Sequence, residues 1–359
     1  MGSDYKEHKT NTISMTISKT PKLSIVMPFF NQKDMVADMI ESILANDFQD
    51  WELIAVDDGS EKECIESLRI YGEDPRIRFI SRTISPKGAQ TCRNIGLDQA
   101  NGDYIVFFDS DDHITPNCLK NRVETFEKRP DLDFMVFPSG SYDGKVFSET
   151  GSYLFGYPIF RDDLKAFIQH TLPFTVWTNI YRTEALREKL LSWDTNLLSY
   201  QDSDFNIQVL IHGLRYDYAA SRPDYGYRTG NNVGSISKKV SSIAHRQSLI
   251  YFIDKQYQVI QHAYGRCYDQ ALYQCALYIY AYCMSDGIDA DFARQITRTV
   301  QKHDKMHGLF LFCKVSASLF LQIMLPAKLS RQLPMPMFLV RKLLMEKFII
   351  PKRIKKFLS

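Results

Sequence analysis

From residue 22 onward, short apolar runs alternate with longer stretches in which apolar positions return every three or four residues. Leu23-Ser24-Ile25-Val26-Met27 reads as a buried strand that Pro28 stops, because proline brings no N–H to a ladder. Between 33 and 46, Met35, Val36, Met39, Ile40, Ile43 and Leu44 share one side of a helix. Leu53-Ile54-Ala55-Val56 predicts a second strand and 61–71 a helix; 77–80 and 88–100 repeat the pair. Tyr104-Ile105-Val106-Phe107-Phe108 predicts the next strand, before a helix from Pro116 to about Arg129 and a strand at Phe134-Met135-Val136-Phe137.

Strands that alternate with helices pack as a mostly parallel sheet flanked by helices, so the fold class is α/β. Such sheets bind ligands at the carboxyl ends of their strands. Residues 28–31, 57–60 and 109–112 are polar, end three predicted strands, and therefore converge on one edge. Past residue 140 the rhythm breaks, and the aromatic, irregular stretch 141–180 reads as loops over that edge. Asp202 to about His212 predicts a helix capped by Asp202 or Ser203, with Phe205 and Val209 inward and Gly213 as its stop. Stretches 243–285 and 288–304 predict further helices.

Composition changes this picture little, since 45% hydrophobic and 24% charged residues are ordinary for a globular protein. The length of 359 residues fits a catalytic unit with accessory parts: a polar, disordered leader at 1–20, a catalytic domain at 21–240, a helical region at 241–304 and a tail at 305–359. Seven cysteines, odd in number and without a Cys-x-x-Cys pair, argue against disulfides and zinc and for reduced thiols in a cytosolic setting.

Charge changes more. From Lys305 onward eleven basic residues face one acid, Glu346, so the tail carries +10 and the remainder −8 of a net +2. Leu309-Phe310-Leu311-Phe312 and 318–325 are apolar, but Lys314 interrupts them, which leaves less than the roughly 20 residues of a spanning helix. Pro326, Pro334 and Pro336 break the pattern before 338–350 resumes it among Arg341, Lys342 and Lys347. Apolar faces with basic charge predict helices lying in an anionic membrane surface, at the cytoplasmic face of an inner membrane. A helix pair packed on the core is the competing reading. The acidic body excludes nucleic acid as a partner.

The strand at 104–108 ends in Asp109-Ser110-Asp111-Asp112, and three carboxylates cannot stay unpaired in a core. At an open edge their hard oxygens suit Mg²⁺ or Mn²⁺ and a bound diphosphate; a solvated acidic turn is the plain alternative. Together with its neighbours this DXD motif resembles glycosyltransferase family 2, inverting nucleotide-sugar transferases of GT-A fold. The resemblance also rests on Val26-Met27-Pro28-Phe29-Phe30-Asn31, Val56-Asp57-Asp58-Gly59-Ser60, Gly88, Arg93-Asn94-Ile95-Gly96 and Gly102-Asp103-Tyr104-Ile105. Further on it rests on Trp177-Thr178-Asn179-Ile180-Tyr181, Gln201-Asp202-Ser203-Asp204-Phe205, Tyr227-Arg228 and Ser235-Ile236-Ser237, and it covers roughly 22–240.

The resemblance implies a sugar moved from a nucleotide-sugar donor to a hydroxyl, and a tail on the membrane surface suits a lipid-linked glycan as acceptor, in surface polysaccharide synthesis. It makes Asp111 the direct ligand of Mn²⁺ or Mg²⁺, with Asp109 and Ser110 near the ribose and the metal. Asp57 and Asp58 take the ribose and base, with Asp58 on the base edge, and Pro28, Phe29 and Phe30 wall the base. Asp57 and Asp58 are also ordinary turn chemistry, and the two phenylalanines ordinary core. Arg93 is the candidate diphosphate partner, and Arg228 sits on a Gly-rich lid over it. Trp177 and Tyr181 could stack on sugar, and His113 could touch the metal.

The general base of the family is the aspartate of a Glu-Asp pair, here Gln201-Asp202. Asp202 is therefore the candidate catalytic residue, helix capping its competing role and Asp204 the reserve. The Gln departure removes a charge that would have raised the base's pKa. It also leaves open an inactive family member serving as a membrane-bound scaffold. A sugar nucleotidyltransferase is a further alternative, but Pro28-Phe29-Phe30-Asn31-Gln32 lacks the Gly-rich basic loop that class needs. His303 and His307 have metal-pair spacing without a third ligand, and read as a solvated helix face.

Overall fold

A computed structural model describes residues 20–149, 154–229, 242–284 and 289–324, the side chains of 284 and 317–324 excepted. The chain begins β1 (Leu23–Phe29), α1 (Lys33–Leu44), β2 (Trp51–Asp57), α2 (Lys62–Leu68), β3 (Ile77–Ser81), α3 (Ala89–Gln99) and β4 (Tyr104–Phe107). It continues through β5 (His113–Ile114), α4 (Cys118–Glu127), β6 (Phe134–Val136), β7 (Ser139–Tyr142), β8 (Phe147–Ser148), α5 (Asp163–Ile168) and β9 (Asn179–Arg182). Then come α6 (Thr183–Glu188), α7 (Gln201–Ile211), β10 (Tyr216–Tyr218), β11 (Tyr225–Arg228), α8 (Ile243–Tyr264), α9 (Asp269–Met284), α10 (Ala290–His303) and α11 (Lys305–Met324).

Seven strands form the main sheet in the order β10-β6-β9-β4-β1-β2-β3. The neighbours β4, β1, β2 and β3 are parallel, while β9 runs antiparallel to both β4 and β6. A four-stranded sheet, β5-β11-β7-β8, stands beside it. Every residue of β1, β2 and β4 is buried, as mostly apolar strands covered on both faces should be, and the buried Ser24 hydroxyl donates to Glu52 at 2.7 Å.

Pro28 does not stop β1; it lies inside the strand, opposite Val56. Its alternate neighbour Val26 faces β4, and the β4 ladder ends at Val26 opposite Phe107. The missing N–H of Pro28 falls two residues beyond that end, where no further bond to β4 is formed. The stretch 141–180 is also not only loop, since it holds β8, α5 and β9. Strand β9 is stabilised by partners far away in sequence, and Phe134 and Phe107 pack on its Tyr181. The long helical stretch from 243 is two helices, broken at Gly265, whose φ of 59° suits glycine.

Helix α3 lies on β1 because Gly96 has no side chain: an added Cβ would stand 2.2 Å from Val26 Cγ1 and 2.9 Å from Cγ2. A branched valine held in a sheet cannot swing aside. Gly96→Ala is therefore expected to destabilise the fold by about 1–3 kcal/mol, read as a lowered denaturation midpoint. An unchanged midpoint would mean that the helix and sheet are not packed as described.

Helix α11 follows α10 after the single residue Asp304 and buries Leu311 and Val315, so at least its first half packs on the core. Its other face leaves Met306, Leu309, Phe310 and Phe312 exposed. Among the described residues no helix is long and apolar enough to cross a membrane. The tail beyond 324 lies outside the described residues, as do the leader at 1–19 and the motif 235–237.

Candidate active site

Parallel register brings the three polar strand ends side by side. Phe29 lies opposite Asp57, Asp58 donates its N–H to the Phe29 carbonyl at 2.9 Å, and Phe108 donates to the Val26 carbonyl at 3.0 Å. The acidic turn and the Asp57-Asp58 turn thus flank the end of β1.

Asp57 spends one carboxylate oxygen on its own turn, accepting the Ser60 N–H at 2.8 Å. Asp58 is held by Arg82 Nε at 2.5 Å and by the Gly88 N–H at 3.0 Å. Phe30, 45% exposed, carries the Lys87 ammonium 3.3 Å above its ring centroid. Phe29 is not part of a wall: it is buried, edge-on to Phe79. Alternation along the strand decides this, since successive side chains take opposite sides. Pro28 is buried too.

Arg93 is neither solvated nor aimed at open space. It is 4% exposed, stands over the Trp193 ring, and reaches two carboxylates that are far apart in sequence. Its Nη2 donates to Asp109 at 2.7 Å and its Nη1 to Asp202 at 3.2 Å. Helix α7 presents Asp202 from its first turn. Its cap is Tyr200, with φ of 63°, so neither Asp202 nor Ser203 is the cap. Gln201 turns back to the Leu197 carbonyl. The Asp202 side chain keeps 37% of its surface open. Burial raises its carboxyl above the usual carboxylate range; Arg93 opposes that shift and Asp109 adds to it.

Asp111 is pushed up to about 6, first by burial and then by the Asp109 charge. A cation between them would relieve both causes. Among the described residues no three His, Cys, Asp or Glu side chains are grouped to hold a metal by themselves. Mg²⁺ commonly takes one or two carboxylates and completes its shell with phosphates and water, so Asp109 and Asp111 fit the protein's share of such a set.

Asp112, buried, points away from the edge. It accepts Tyr225 Oη at 2.8 Å and the Arg228 N–H at 2.7 Å. Burial, with the Asp111 and Asp109 charges, pushes its carboxyl well above the ordinary range.

Several expectations are corrected. Arg228 is not on a lid: it ends β11, donates through Nε to the Asp111 carbonyl, pairs with Asp38 and lies over the Tyr142 ring. Trp177 and Tyr181 are core side chains, buried against Tyr225 and Phe134. Asp204 is bonded to Lys255 and Gln256, each at 2.8 Å, which removes it as the reserve base. His113 stacks on Tyr142 and faces Asp38. His303 and His307 are paired with Asp254 and Asp304, not a solvated face. Reading the sequence missed Asp38, Arg82, Lys87 and Tyr225; each belongs to no local pattern and reaches the site only through folding.

Residues 24–190 match the family model described as Glycosyl transferase family 2. The chain is 26% identical over 243 residues to the glycosyltransferase EpsJ of Bacillus subtilis, a match spanning 66% of this chain and 68% of that protein. It is 26% identical over 196 residues to a GalNAc(5)-diNAcBac-PP-undecaprenol beta-1,3-glucosyltransferase of Campylobacter jejuni, across 46% of this chain and 61% of that one. Some relatives are much longer: the chain spans 23% of one from Rickettsia felis. Among solved structures, S. aureus TarS 1-349 in complex with UDP-GlcNAc superposes with a TM-score of 0.64 at 17% identity, across 83% of this chain and 86% of that one. That likeness gives the GT-A architecture.

Proposed function

We propose, for a chain that belongs to glycosyltransferase family 2 through residues 24–190, a metal-dependent, inverting transfer of a sugar from a nucleoside diphosphate to a hydroxyl of a lipid-linked glycan. The observation that carries this reading is Arg93, which joins Asp109 at 2.7 Å to Asp202 at 3.2 Å. A carboxylate suited to the divalent ion on the donor diphosphate and one suited to the acceptor hydroxyl thereby lie within the span of one guanidinium.

Asp202 takes the proton of the acceptor hydroxyl as that oxygen attacks the anomeric carbon; partial burial makes it a stronger base than a free carboxylate. Asp111 and Asp109 hold Mn²⁺ or Mg²⁺, which when bound supplies Lewis-acid stabilisation of the departing diphosphate. Arg93 orients both carboxylates and lies beside the diphosphate. Asp58 receives the base edge, Asp57 and Ser110 border the ribose, and the exposed Phe30 ring offers the base a face once Lys87 moves. Calorimetry with UDP, GDP, TDP and CDP sugars, with and without Mn²⁺, tests the reading: metal-assisted uptake of one donor is expected. Uptake of none would overturn it.

The name of the Campylobacter relative supports the lipid-linked acceptor. The exposed Leu309, Phe310 and Phe312 on α11, ahead of a basic tail, support a peripheral position on the cytoplasmic face of a membrane. All seven cysteines are free thiols, which suits a reducing compartment. Because Leu311 and Val315 are buried, cutting the chain at 305 would expose core, so point changes make the cleaner test. Changing Leu309, Phe310 and Phe312 together to Gln is expected to weaken binding to phosphatidylglycerol vesicles by about tenfold or more. Equal sedimentation of both proteins with the vesicles would defeat the membrane reading.

A further inference from the structure

Three carboxylates occur in the acidic turn, but only Asp109 and Asp111 face the edge; Asp112 turns inward, 1% exposed. Its place inward is made by β11. The Tyr225 hydroxyl accepts the Asp109 N–H at 3.1 Å and donates to Asp112 Oδ2 at 2.8 Å, so both of its bonding capacities go to the first and last residues of one turn. The Arg228 N–H donates to Asp112 Oδ1 at 2.7 Å, while the Arg228 side chain reaches the Asp111 carbonyl. Three residues of the turn are thus gripped from a strand more than a hundred positions away.

The gripping ring is itself fixed. Trp177 stacks on Tyr225 at 4.6 Å with planes 12° apart, and Phe108 closes the other contact at 5.2 Å. The preceding residue, Asp224, forms a buried ion pair with Arg122 at 2.7 Å, and Arg122 also donates to the Trp177 carbonyl at 2.8 Å. Next along the strand, Gly226 lets β11 approach closely: a Cβ there would meet Phe147 Cδ2 at 2.9 Å and Tyr142 Cβ at 3.0 Å.

We infer that Tyr225 and Asp112 are a positioning pair that sets the spacing of Asp109 and Asp111 for a divalent cation and its diphosphate, without touching either. The inference rests on the metal-dependent reading given above. A short turn bearing like charges splays unless something holds it, and a hydroxyl joining its two ends is the device that holds this one. Groups that orient metal-binding carboxylates tune the affinity for the ion without touching it.

The test uses the full chain and isothermal calorimetry with Mn²⁺ and whichever of UDP, GDP, TDP or CDP the unaltered protein binds. Tyr225→Phe keeps the stacked ring and removes only the hydroxyl. It is expected to weaken Mn²⁺ uptake by about 10- to 100-fold, and Asp112→Asn to act in the same direction. Tyr181→Phe, which removes a different buried hydroxyl bonded to Asn179 at 2.7 Å, serves as the comparison and is expected to leave Mn²⁺ uptake unchanged. Melting temperatures of all variants separate loss of fold from loss of spacing. Unaltered Mn²⁺ affinity in Tyr225→Phe, or an equal loss in Tyr181→Phe, would overturn the positioning role while leaving the transferase reading intact. Failure of the unaltered protein to take up Mn²⁺ with any of the four nucleotides would instead remove the metal-dependent reading on which the role depends.

Discussion

Asp202→Asn is expected to slow sugar transfer by about 10²- to 10⁴-fold, the usual contribution of a positioned general base, while donor binding stays near normal. The amide keeps the shape of the side chain and its place in the first turn of α7, so the loss reports chemistry rather than folding. Initial rates of transfer and calorimetry with the donor, measured on the same preparation, check both halves. The nearest alternative base is already engaged, since Asp204 lies 2.8 Å from Lys255 and from Gln256. Full activity in the Asn variant would therefore mean that the acceptor proton leaves by a route without Asp202. A donor-binding protein with no transferase activity to lose would point to the scaffold reading suggested by Gln201.

Arg93→Ala is the second large effect, and it should damage both substrate sides. Two carboxylates lose their shared cation: Asp109, 28% exposed, and Asp202, 37% exposed. Because both keep contact with water they rehydrate, so stability should fall by about 1–2 kcal/mol, less than the 3–5 typical when a fully buried pair is broken. Catalysis should suffer more. A base displaced by an ångström can cost about 100-fold, and a loss of at least that size in kcat/KM is expected. Arg93→Lys should not restore activity, since a single ammonium cannot give separate nitrogens to two carboxylates in the fixed geometry of a guanidinium. Recovery with Lys would reduce Arg93 to a source of charge.

The alternation of strands and helices up to residue 136, β5 excepted, was legible because each of those elements is continuous, apolar and locally periodic. The same local order placed 28–31, 57–60 and 109–112 on one edge, since strand ends in a parallel sheet share a side. Strand β9 and the β5-β11-β7-β8 sheet were not legible. Their strands are two to four residues long, and apart from the short β7–β8 hairpin their partners lie far off in the chain, as Tyr225 does from Ile114 and Ser139. Long-range pairing of short segments leaves no periodic trace.

The roles of single side chains divide along the same line. Composition and order of motifs were enough for an α/β fold, for an acidic edge and for a family resemblance, because burial and strand geometry act on residue types. They could not tell Phe29 from Phe30, since neighbours of like chemistry differ only in the direction they face, and it was the family resemblance that chose Asp111 over Asp112 and Asp202 over Asp204. Folding separates them: Phe29 packs on Phe79, Asp112 is drawn inward by Tyr225, and Asp204 is taken by Lys255. Arg93 shows the difference most clearly. Its sequence context offers a cation on a helix, and the fold, with α3 packed on β1, brings that cation to Asp109 and Asp202 together.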